Sequence, residues 1–71
     1  MGKIRDVKAI EPLFYVLRFD SDTSVRGASA ISLGRFLEVG GVRQALSAVL
    51  QGETTEYVKN KIQRALDDSD D

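Results

Sequence analysis

At 71 residues the chain is long enough for one domain and too short for two. It contains no Cys and no His, which excludes disulfides, thiol chemistry, Ser-His-Asp catalysis and the usual zinc ligand sets. The net charge of -1 hides a division: four of eleven acidic residues occupy the last five positions, leaving ten basic against seven acidic side chains before them. That surplus is well below the clustered positive field of a dedicated nucleic-acid binder.

No long apolar run or signal-type segment occurs, so the expected address is cytoplasmic, away from membranes. Met1-Gly2 opens like an N-myristoylation motif, but Asp6 stands where that motif needs Ser or Thr.

Apolar residues recur at helical spacing in four segments, and sustained period-two alternation is missing, which predicts an all-α chain. The first helix is expected over about 9–18, with Ile10, Leu13, Phe14 and Leu17 at i, i+3, i+4 and i+7. Pro12 fits its first turn, where a backbone N–H would be unpaired anyway. The run Asp20-Ser21-Asp22-Thr23-Ser24 should stop this helix and cap the next. A second helix over about 24–38 places Val25, Ala28, Ser29, Ser32, Leu33 and Phe36 on one face, and Ile31, Gly34 and Leu37 on another. Its many small residues suit close approach by other helices.

Gly40-Gly41 reads as a helix break, with an anion nest as the weaker alternative. A third helix over about 42–51 carries Val42, Ala45, Leu46, Val49 and Leu50. Gly52 to Thr55 form the next turn, and a fourth helix over about 55–66 carries Val58, Ile62, Ala65 and Leu66. Phe14, Phe19 and Phe36 are assigned to the core, with Tyr15 and Tyr57 partly exposed.

Displacing the chain by 33 residues superposes Leu13 on Leu46, Leu17 on Leu50, Val25 on Val58 and Leu33 on Leu66. Asp20 falls on Glu53, and Arg26 on Lys59. A period of this length is the mark of stacked repeats, in which each hairpin buries its face against its neighbour. The expected architecture is two stacked helical hairpins in one domain, 1–71: repeat 1 over about 6–38, repeat 2 over about 41–67, and an acidic solvated tail at 68–71.

The text Ala9-Ile10-Glu11-Pro12-Leu13, Asp20-Ser21-Asp22, Val25-Arg26 and Leu33-Gly34 resembles the HEAT repeat family, in its short phycobilisome-lyase-type branch. The second repeat keeps Glu53 and Val58-Lys59 but has Ala45 for Pro12 and Asp67 for Gly34. The resemblance implies a HEAT-like α-α superhelix fragment in which Pro12, Asp20, Val25, Arg26, Gly34, Glu53, Val58 and Lys59 are structural repeat positions. It also implies that the acids and bases hydrogen-bond to backbone and to the neighbouring repeat on the turn side. Second helices line a concave face in that family, which nominates Ile31, Asn60, Gln63 and Arg64 for partner binding.

The expected function is a protein–protein interaction or scaffold module, not an enzyme, without catalytic, cofactor or metal residues. No phosphate-binding glycine loop is present. The expected occupant is a protein partner or a second copy, docking at the N-terminal edge; the second repeat has the look of a closing cap. Two alternatives remain open. One, by resemblance, is an accessory role in a bilin (tetrapyrrole) lyase. The other is weak nucleic-acid binding through Arg35, Arg43, Lys59, Lys61 and Arg64, disfavoured because aromatics are not interleaved with them.

Overall fold

The computed structural model describes residues 7–68. A 3-10 turn, Val7–Ala9, leads into α1, Ile10–Phe19. Pro12 stands in its first turn, as expected, so its missing N–H costs no helical bond. Asp20 leaves the helix in extended backbone (φ -67°, ψ 139°) while its N–H still bonds the Val16 carbonyl at 3.0 Å. Two residues on, Asp22 caps α2, Thr23–Leu33, its carboxylate accepting the Ser24 N–H at 2.9 Å. Such a cap contributes about 1 kcal/mol.

The second helix was expected to reach Glu38, but α geometry ends at Leu33 and a 3-10 turn, Gly34–Phe36, continues it. Gly41 adopts the left-handed conformation (φ 89°) immediately before α3, Val42–Gly52. That is the break the paired glycines predict, since a side chain there would be strained. Glu53 repeats the exit seen at Asp20, with φ -76° and ψ 133°. The last helix, α4, spans Glu56–Asp68. It runs past Leu66 through Asp67 and takes in Asp68 from the segment read as tail. The rest of that tail, 69–71, and the Gly2 and Asp6 positions lie outside the described residues.

Packing follows a chain of contacts: α1 on α2, α2 on α4, and α3 on α4. Gly27 lies against Tyr57 and Lys61, and Gly34 against Ala65, so α2 and α4 run parallel and close together. A Cβ built on Gly27 would fall 2.8 Å from the Tyr57 ring, which explains a glycine in mid-helix despite its poor propensity. Leu17, Leu33, Leu46, Val58 and Ile62 are fully buried in one cluster drawn from all four helices.

Three residues depart from their expected burial. Phe19 was assigned to the core, yet it is 62% exposed. The stripe Ile10, Leu13, Phe14 and Leu17 already fills the inner face of α1, and Phe19, four residues after Tyr15, falls on the outer face with it. Val25 and Ala28 were placed on the inner face of α2 and are exposed. Held between α1 and α4, α2 turns Gly27, Ser29, Ala30 and Leu33 inward instead. The buried Ser29 hydroxyl is satisfied by donating to the Val25 carbonyl at 3.1 Å.

Candidate docking surface

The two interhelical turns are chemically alike. Asp20 accepts the Asp22 N–H through Oδ1 at 2.8 Å, and Glu53 accepts the Thr55 N–H through Oε2 at 3.0 Å. Each carboxylate therefore braces its own turn two residues downstream. The bases behave differently. Arg26 reaches into the second turn, donating from Nη1 to Glu53 Oε1 at 2.7 Å and from Nη2 to the Thr55 hydroxyl at 3.3 Å. Lys59, its superposed counterpart, stands 3.8 Å from Glu56 on the surface. The repeated acid and base thus meet diagonally, first-turn base with second-turn acid.

Glu53 is 8% exposed. Burial pushes its pKa up, but the Thr55 amide, the hydrogen bond and charge of Arg26, and the Thr55 hydroxyl outweigh it and hold the carboxyl below its ordinary value. Its lone pairs are committed to the fold, which makes it a brace and a poor proton acceptor for chemistry. The Arg26 Nε is buried without a hydrogen-bond partner among the described residues.

The four residues nominated for partner binding divide between two helices. Asn60, Gln63 and Arg64 share one exposed face of α4, where Gln63 donates to Asp67 at 3.3 Å. Ile31 is half-buried on α2, between the Gly27 and Gly34 contacts and so level with the Lys61 to Ala65 stretch. Among the remaining repeat positions, Val58 is core, whereas Val25 is exposed and Gly34 is pressed on Ala65.

A surface the sequence reading did not single out lies on the opposite side. Between α1 and α3 runs a groove of about 620 Å³, with half-buried Phe14, Ala45 and Val49 set deeper and exposed Arg18, Phe19 and Ala48 along it. Glu53, neutralised by Arg26, touches one end. Beside it the outer face of α1 carries Tyr15, 66% exposed, whose ring packs at 4.9 Å, tilted by 48°, on that of Phe19. The Arg18 guanidinium sits 5.3 Å above the Phe19 ring, a cation–π contact. The signal for this face was present in the sequence: two aromatics at i, i+4 on the side of the helix opposite Leu13 and Leu17.

Among the described residues no cluster of three or more acidic side chains could hold a metal ion, and no helix is long and apolar enough to cross a membrane. No protein-family model, curated protein or solved structure matches the chain.

Proposed function

We propose that this protein is an interaction module built as two HEAT-like hairpins, with no catalysis of its own, and that the α1–α3 side is its docking surface. The observation that carries the reading is the pair of exposed, touching rings, Tyr15 and Phe19, the second of which lines an apolar groove. Singly exposed apolar residues are ordinary, whereas two aromatics packed on each other beside a concave apolar channel form a patch of the kind that partners cover. The hairpin-repeat reading draws its support from the matching exits at Asp20 and Glu53, the parallel α2 and α4, and the arginine that ties one turn to the next.

Affinity capture of partners, with an untagged copy of the chain supplied among them, tests the site with three forms of the protein: wild type, Ala48→Glu, and the triple Asn60→Ala/Gln63→Ala/Arg64→Ala. The glutamate puts an uncompensated charge beside the groove, so partners should be lost from Ala48→Glu and retained by the triple variant. The reverse pattern would move the docking surface to α4, and equal recovery by all three forms would defeat the groove assignment.

A further inference from the structure

The outer face of α1 is self-complementary. Glu11, Tyr15 and Arg18 follow one another at i, i+4 and i+7 along a single exposed line, with Phe19 beside it. Glu11 and Arg18 therefore stand about 10 Å apart along the helix axis, with the Tyr15 ring beside the midpoint and Phe19 just beyond Arg18. Neither makes an ion pair with another described residue. An acid and a base placed symmetrically about an apolar centre are what a two-fold interface requires, because a two-fold axis brings residue i of one chain to j of the other and j to i. In an antiparallel pairing of two α1 helices about a point near residues 14 and 15, each Glu11 meets the Arg18 of the other copy. The same operation sets the two Tyr15 rings against each other.

Resting on the reading of the α1 side as a docking surface, we infer that its occupant is a second copy of this chain, paired through antiparallel α1 helices with two reciprocal Glu11–Arg18 contacts. Charge favours this occupant over a nucleic acid, since the face offers as many carboxylates as guanidiniums and a phosphate backbone would meet Glu11 as well as Arg18. The contact is one ten-residue helix and its neighbouring groove, at or below the ~1,200 Å² of total buried surface typical of stable pairs, so the dimer is weak and exchanging.

Sedimentation of the full chain over about 10 μM to about 1 mM reads the association. Wild type should pass from monomer to dimer within this range. Glu11→Arg and Arg18→Glu each bring like charges together at both contacts and should weaken dimerisation at least ~10-fold. Both sites are exposed, and unchanged circular dichroism confirms that the variants fold. The two single variants mixed in equal amounts should recover a one-to-one heterodimer, and the double variant Glu11→Arg/Arg18→Glu should recover the homodimer. A wild type that stays monomeric overturns the inference, as does a dimer indifferent to both single substitutions. If the monomer still loses its captured partners on Ala48→Glu, only the identity of the occupant has failed; if that capture is also indifferent, the docking reading falls with it.

Discussion

Arg26 and Glu53 illustrate how one ion pair acquires a pH dependence. The folded-state pKa of Glu53 lies below its ordinary 4.5, so its contribution to stability is complete above that value and is lost as pH falls through the lowered pKa. Replacing it by Gln removes the charge and weakens a hydrogen bond to a guanidinium, which should cost about 2 kcal/mol at pH 7. In a domain this small, whose core supplies only about 3–5 kcal/mol, that is a large share. Urea titrations of wild type and Glu53→Gln should show well-separated midpoints at pH 7 that draw together as pH falls below 4.5. A gap of constant size would mean that the carboxylate's ionisation is not what stabilises the turn. The acid and base could be located by superposing the sequence on itself. Their diagonal pairing could not, because it depends on how far apart the two turns sit in space.

Close packing of α2 on α4 is controlled by what is missing from two side chains. At Gly34 an added Cβ would lie 3.0 Å from the Ala65 Cβ and 3.3 Å from its backbone Cα. The main chain of α4 cannot step aside without moving the helix, so Gly34→Ala should destabilise by about 1–2 kcal/mol despite the better propensity of Ala. At Gly27 the nearest atoms belong to the partly exposed Tyr57 and to Lys61, side chains that can swing away. Thermal melts should therefore show Gly34→Ala lowering Tm more than Gly27→Ala, and the opposite order would mean that the helices separate easily at the Gly34 end. Elements of this kind are legible in sequence where a cap or a stripe defines them. The expected starts of all four helices fall within one residue of those observed. The end of α2 was not legible: Gly34 suits helix and turn alike, and close approach by Ala65 is a tertiary fact.

For the molecule as a whole, the all-α class and the four-helix order follow from apolar periodicity, whereas the groove between α1 and α3 required coordinates. Phe19 continues a helical run and reads as core; only once Leu13 and Leu17 are seen to fill the inner face of α1 is its ring left outside. Likewise the groove exists because α1 and α3 each lean on a second helix, α2 and α4, and barely on each other. Periodicity within a helix carries no information about that gap between helices. The same arrangement has a kinetic consequence. Most hydrogen bonds here close within a helical turn, but Arg26 and Glu53 are 27 residues apart in the chain. Local contacts form early and distant ones reward the chain only after the intervening segment is ordered. Removing this pair should therefore leave the refolding rate of Glu53→Gln nearly unchanged and accelerate its unfolding, a φ value near zero by stopped-flow. Slowed refolding would place the pair in the transition state instead. A φ value near zero would make Arg26 a latch on an already assembled bundle, setting how long the native state lasts rather than how fast it is reached.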